Sequence, residues 1–482
     1  MANAPMTAAP ARLPIGVKMS HGIGSMANGS LLYLRSLILL FYSQVVGLDA
    51  GLVGLVMGAS IIVDAMWDPA IGHFSDNLSS KLGRRHLLMF AAPVPAAILI
   101  AMFWNPPVGW SDAATLGWFA VTLLLLNLTF SFFEVPATAL TPELAPGYHE
   151  RTNLVAWRWV LGTLGALAST VMGLGYFLAP TEGTVGQLIR SGYGHLGIAV
   201  AIVCVIAMFI NACGTRRYIG HLYQPEDRHV PMLASLHEAW ATLRNGNMAV
   251  AVAAGALAGI GFGIRTVLEA YIATYIWALP AAAFMWLALA SFISAPFGAL
   301  IAGITGRRFG KKIACMTLFF IGTAIVNLPL LLRMLDLFLP NGSPMLLPVL
   351  VLFAFFGGLL NYGGFILVSS MIADIVEEAQ ERTGRRSEGL ITAADQLIQK
   401  VITAIGTALG GAILTMIAFP RQAIPGQVSQ VTLDALGWWF LGLASILSFA
   451  SIATWKFYSI DQTAHEGRLA TFGMNKVKAT PL

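Results

Sequence analysis

Charge is scarce in this chain. Lys, Arg, Asp and Glu make up only 11% of its 482 residues, against roughly 25% in soluble domains whose whole surface meets water. That shortage excludes a soluble enzyme, and 57% apolar side chains with a mean hydropathy of +0.74 exclude a disordered or fibrous chain. Cysteine is nearly absent as well. Cys204, Cys213 and Cys315 lie in or beside apolar runs and are odd in number, so no disulfide framework is expected. The nine histidines form no H-x-x-x-H pair, and neither a G-x-S-x-G elbow nor a phosphate loop occurs. The N-terminal MANAPMTAAPARLPIGVK lacks a short apolar core with a cleavage site, so no removable signal is expected there.

What the chain has is long apolar runs. A membrane-spanning helix needs about 20 apolar residues, and runs of that length fall at 20–46, 51–75, 86–104, 114–140, 154–179 and 195–213, then at 249–278, 281–303, 313–335, 345–371, 388–418 and 433–457. The pattern predicts an all-α membrane protein of twelve transmembrane helices in two six-helix bundles, 20–213 and 249–458. Residues 1–19 read as a disordered N-terminal tail and 459–482 as a cytoplasmic one. The linker 214–248 contains an amphipathic run, Leu233 to Leu243, suited to a membrane surface. With both termini in the cytoplasm, twenty-one of the 28 basic residues fall in cytoplasmic segments, and only Arg190, Arg333 and Arg421 fall outside. The positive-inside rule demands such a bias, so the net charge of +5 speaks for membrane orientation and not for nucleic acid.

The two halves echo each other. Gly72-His-Phe-Ser-Asp76 with Gly83-Arg84-Arg85 follows the second run, and Gly306-Arg307-Arg308-Phe-Gly310-Lys311-Lys312 follows the eighth. Duplicated six-helix units are the architecture of rocking secondary transporters, which hold substrate between their halves near the midplane.

Ionisable groups at membrane depth are costly and therefore candidate functional residues. Here they are Arg35, Arg158, Arg265 and Lys400 with Asp64, Asp68, Glu134, Glu269 and Asp395. Asp64 and Asp68 are four residues apart, on one helical face. Two carboxylates in low dielectric must take up a proton or share a cation, which makes a coupling site, or else pair with a buried base. Lys400 is the natural partner for them from the second half. Ser131 and Glu134 share a face of the fourth span, and Pro136 interrupts it. Formal charge over the nine groups is one negative, so one proton or monovalent cation would neutralise them. Arg35, near the middle of the first span, and Arg158 would suit an anionic substrate, because a guanidinium forks onto a carboxylate or phosphate. Arg35 could instead be paired with Glu134 or Asp64.

The run Val63-Asp64-Ala-Met-Trp-Asp68-Pro69-Ala-Ile-Gly72-His-Phe-Ser-Asp76, with Gly83-Arg84-Arg85, resembles the second-helix signature of the glycoside-pentoside-hexuronide:cation symporters of the major facilitator superfamily. Three further stretches agree, in order: Glu134-Val-Pro136 through Pro142-Glu143 to Glu150-Arg151-Thr152 and Arg158; Asp374 to Glu377 with Gly384-Arg385-Arg386; and Lys400 at that family's helix-eleven lysine. The resemblance covers about 20–460. It implies the major facilitator fold and cation-coupled symport of a sugar or glycoside by alternating access, with a hexuronide as the anionic case. It makes Asp64, Asp68 and Ser131 the cation site, for H+ or Na+ and no other metal. Asn28, Arg35, Glu134, Thr138, Arg158 and Lys400 become substrate-binding residues, and Asp76, Arg84, Arg85, Asp395 and again Lys400 coupling or gating residues. Asn28-Gly29 stands where the family's type member, melibiose permease, has a sugar-binding aspartate, and Thr138 where it has a pocket tryptophan. No cofactor is implied. A monomer in the inner (plasma) membrane is expected, with the small-molecule substrate and the bilayer as partners. Lysolipid symporters are related to this group and give an alternative substrate. A distant rival is a prenyltransferase-like membrane enzyme, suggested by Asp64, Asp68 and Asp76, but such enzymes need two aspartate-rich loops and the second half offers no matching cluster.

Overall fold

The computed structural model describes residues 13–78, 80, 82–145, 148–180, 185–221, 246–383 and 388–458. They form α1 (Ile15–Leu40), α2 (Ala50–Asn77), α3 (His86–Ala91), α4 (Pro93–Phe103), α5 (Asp112–Leu144), α6 (Tyr148–Met172), α7 (Arg190–Thr215), α8 (Gly246–Tyr271), α9 (Ala281–Phe309), α10 (Lys311–Met334), α11 (Leu346–Thr383), α12 (Glu388–Met416) and α13 (Gln430–Thr454). Eleven helices among these residues are long and apolar enough to cross a membrane. The run expected as a third span, 86–104, is two successive helices, with Pro93 opening the second. Proline fits a first helical turn, where no N–H is needed, and interrupts the ladder elsewhere. The amphipathic run at Leu233 to Leu243 lies outside the described residues.

Local chemistry sets several helix ends. The Asp49 carboxylate accepts from Leu52 N at 3.0 Å and opens α2, and Ser111 Oγ accepts from Ala114 N at 3.3 Å and opens α5. The loops after α2 and α9 each turn on a glycine with positive φ, Gly83 at 78° and Gly310 at 77°, a backbone region that a side chain disfavours. Helices α1 and α8 end alike, in the π-helical turns Phe41–Val45 and Ile272–Ile276. The hydrogen bonds correspond residue for residue: Val46 N→Phe41 O (2.9 Å) and Leu48 N→Tyr42 O (2.9 Å) recur as Trp277 N→Ile272 O (3.0 Å) and Leu279 N→Ala273 O (3.1 Å). Helix α6 also ends in a π-helical turn, Gly173–Phe177, with Leu178 N→Gly173 O at 2.7 Å.

The chain divides into two compact units. The first comprises 1–228, 263–289 and 403–437, so it holds the whole predicted first bundle and two segments of the predicted second. In it α1 crosses α6 on small residues: a Cβ on Gly29 would collide with the Gly162 carbonyl, and one on Gly165 with the Met26 backbone. Close approach through small residues is how membrane helices gain packing when lipid offers no hydrophobic contrast. The second unit comprises 229–262, 290–402 and 438–482. Its core joins Met248 and Ala254 of α8, Ala302 of α9, Cys315 and Leu318 of α10, Leu367 and Met371 of α11, and Trp455.

Candidate functional site

Helix α5 carries a polar stripe through an otherwise apolar helix. Asn127, Ser131, Glu134, Thr138 and Thr141 follow at spacings of four, three, four and three, which keeps them on one face. Each meets a neighbouring helix. Asn127 Oδ1 accepts from Arg35 Nη2 of α1 at 3.1 Å, and Ser131 Oγ donates to Asp64 Oδ1 of α2 at 2.9 Å. Glu134 Oε1 takes Arg158 Nη2 of α6 at 2.5 Å and Thr138 Oγ1 at 3.1 Å. Arg158 Nη2 also reaches Thr138 Oγ1 at 3.0 Å, and Nη1 reaches Thr141 Oγ1 at 3.3 Å. Thr141 then touches His21 Nε2 of α1 at 2.9 Å.

Asp64 is buried at 8% exposure, and Asp68 is half-buried one turn further along α2. Pro69 follows at once, removing the N–H that would bond the Ala65 carbonyl. Carboxylate, hydroxyl and freed carbonyl are the hard oxygen donors that a small cation or a proton requires. The Glu134–Arg158 pair keeps Glu134 29% and Arg158 12% exposed. The alternatives for Arg35 resolve towards neither acid: Glu134 is held by Arg158, and Arg35 makes no ion pair among the described residues. Asn28 and Thr138 are exposed.

A second cluster sits at the end of α5. Glu143 Oε1 receives Arg84 Nη2 at 2.6 Å and Arg85 Nη2 at 2.6 Å, and Arg85 also reaches Asp76 Oδ1 at 3.1 Å. Two guanidinium groups offset an acid placed at the unfavourable end of the helix dipole and tie the α2–α3 loop to α5. Lys400 is half-buried on α12 in the second unit. Asp395 belongs to the same helix, but its side chain lies outside the described residues, as do those of Asp374 and Glu377.

Sequence reasoning missed Gln44, His21, Asn127 and Thr141. Gln44 is buried in the first unit, where its Oε1 takes Ala423 N at 2.9 Å and Tyr275 OH at 3.1 Å, and its Nε2 reaches Pro420 O at 3.3 Å. Beside it Ser43 bonds the Tyr271 hydroxyl. Asn127 and Thr141 were findable as the two ends of the α5 stripe.

The comparison with known proteins supplies the family. Residues 20–462 match the family described as MFS/sugar transport protein. The chain belongs to that family. This MFS/sugar transport protein is 25% identical over 456 residues to a candidate 2,3-dihydroxypropane-1-sulfonate exporter of Escherichia coli (strain K12), covering 88% of this chain and 92% of the relative. It is 23% identical over 417 residues to the candidate glycoside/cation symporter YagG of the same strain, covering 86% of each. The nucleoside transporter NupG shares the fold, with a TM-score of 0.62 at 18% identity over 91% of this chain and 99% of that one. The protein is therefore a multi-pass plasma-membrane transporter of the major facilitator superfamily, related to glycoside/cation symporters, and not an enzyme.

Proposed function

We propose that this transporter couples H+ or Na+ to the symport of a sugar or glycoside, by alternating access of two six-helix bundles with twelve spans and both termini in the cytoplasm. The observation that carries the reading is the Ser131–Asp64 hydrogen bond beside Asp68, one turn of α5 from the Glu134–Arg158 pair. Cation and solute would then share α5 as a common wall, so that filling one site shapes the other. In this reading Asp64, Asp68 and Ser131 hold the cation, and Glu134, Arg158, Thr138 and Asn28 hold the sugar. Lys400 of α12 takes part in substrate binding and coupling. Asp76, Arg84, Arg85 and Asp395 control the cytoplasmic side.

Arg35 favours an anionic substrate, a sugar carrying a carboxylate or a sulfonate. Its guanidinium has a neutral amide as partner, and a charge at membrane depth that lacks an ionic partner is costly unless the substrate supplies one. The sulfonate in the name of one relative accords with this choice.

The deciding experiment is uptake into sealed vesicles of methyl glucoside, methyl glucuronide and the matching 6-sulfonate, driven by a proton or a sodium gradient. Wild type should accumulate at least one of them, and Asp68→Asn should lose gradient-driven accumulation while remaining folded in the membrane. Full accumulation by Asp68→Asn would remove that residue from the coupling site.

A further inference from the structure

The lower end of the α5 stripe holds a contact with no part in the scheme above. His21 is fully buried on α1, where its Nε2 meets Thr141 Oγ1 and its carbonyl accepts from Asn211 Nδ2 of α7 at 3.2 Å. A guanidinium can only donate, so one lone pair of Thr141 is committed to Arg158 Nη1. The threonine proton must go elsewhere. Helix threonines commonly send it to the carbonyl four residues back, as Thr122, Thr129, Thr170 and Thr305 do here. Thr141 makes no such bond among the described residues, and its remaining partner is His21 Nε2. The imidazole therefore accepts at Nε2 and carries its own proton on Nδ1, which has no hydrogen-bond partner among the described residues.

A second buried histidine supplies the contrast. His86 Nε2 lies 2.9 Å from Thr215 Oγ1, but Thr215 already donates to Asn211 O at 2.8 Å, so there the histidine must be the donor. That pair fastens α3 to α7 and, among the described residues, no bond joins it to Arg158.

We infer that His21 is a positioning residue of the solute pocket: by taking the Thr141 proton it fixes Thr141 as the acceptor for Arg158 Nη1, which leaves Nη2 aimed at Glu134 and Thr138. The inference rests on the reading of Glu134 and Arg158 as pocket residues. Losing the imidazole frees Thr141 to turn to its own helix carbonyl, and Arg158 then keeps only its Nη2 bonds to Glu134 and Thr138.

The test reads the ion pair without any substrate. In each background, the Glu134 carboxylate stretch is isolated from purified full-length protein as the infrared difference against the same background carrying Glu134→Gln. His21→Ala and Thr141→Val should each shift that band towards the unpaired position, and the double variant should shift it no further than either alone. His21→Gln should restore it, because its amide oxygen can take the same proton, and His86→Ala should leave it unmoved. An unmoved band in His21→Ala and Thr141→Val, or shifts that add in the double variant, overturns the proposal. If His21→Ala does not give folded protein, His21→Leu, which fills the space without an acceptor, carries the same decision. Uptake of the three glycosides separates the two readings. With the pocket correctly assigned, Thr141→Val raises KM about tenfold at unchanged maximal rate, equivalent to about 1.4 kcal/mol. A shifted band together with uptake indifferent to Glu134→Gln rejects the pocket and keeps the positioning of Arg158 by His21.

Discussion

The polar stripe of α5 is answered by three helices, α1, α2 and α6, and that division of labour is what makes single substitutions informative. Ser131 serves Asp64, whereas Asn127, one turn away, serves Arg35. Hydrogen bonds to a charged group are worth about 1.5–3 kcal/mol, so Arg35→Gln should raise KM for methyl glucuronide and the 6-sulfonate by roughly 10- to 100-fold. It should leave methyl glucoside within a fewfold of wild type. Arg35→Lys keeps the charge but not the fork and should fall between. Equal damage to neutral and acidic uptake would mean that Arg35 shapes the helix packing and does not read substrate charge.

At the level of helices, packing turns on where side chains are missing. Gly29 faces the Gly162 carbonyl across the α1–α6 crossing, whereas Gly117 on α5 has nothing within 4 Å of an added Cβ. Overpacking costs about 1–3 kcal/mol, while alanine gains up to about 1 kcal/mol over glycine in an open helix. Gly29→Ala should therefore lower the thermal unfolding midpoint in detergent and Gly117→Ala should hold or raise it. Equal midpoints would refute the close crossing. The apolar runs made most of these helices readable, because lipid exposure forces apolarity over the full length of a span. The exceptions have physical causes. The run at 86–104 hides a break, since hydropathy does not register that Pro93 lacks an N–H, and α11 runs on to Thr383 past the expected 371 because polar turns remain good helix. The π turns were silent, being a choice of hydrogen-bond partner that composition does not record. Within the site, helical spacing alone joined Asp64 to Asp68 and Ser131 to Glu134, and the family motif was needed to bring Ser131 to Asp64. The choice of Arg158 over Arg35 for Glu134 was legible from neither, because it depends on how α1 and α6 rotate against α5.

For the molecule to work by alternating access, contacts within the first unit must open and close. Beyond the Gln44 cluster, Arg421 lies 3.0 Å from Asp112 and 3.6 Å from Asp49, and Gly51 N donates to Thr415 Oγ1 at 3.0 Å. A Cβ placed on Gly51 would stand 3.4 Å from Thr415 Cβ, close to the roughly 3.5–4.5 Å separation that a disulfide spans. The native cysteines offer little interference: Cys204 and Cys315 are buried, and exposed Cys213 can be made Ser beforehand. The double variant Gly51→Cys with Thr415→Cys should then oxidise readily, stop gradient-driven uptake and recover it on reduction, while either single cysteine transports throughout. If the cross-linked protein transports at the wild-type rate, the start of α2 and the end of α12 stay together during the cycle, and the opening must occur elsewhere.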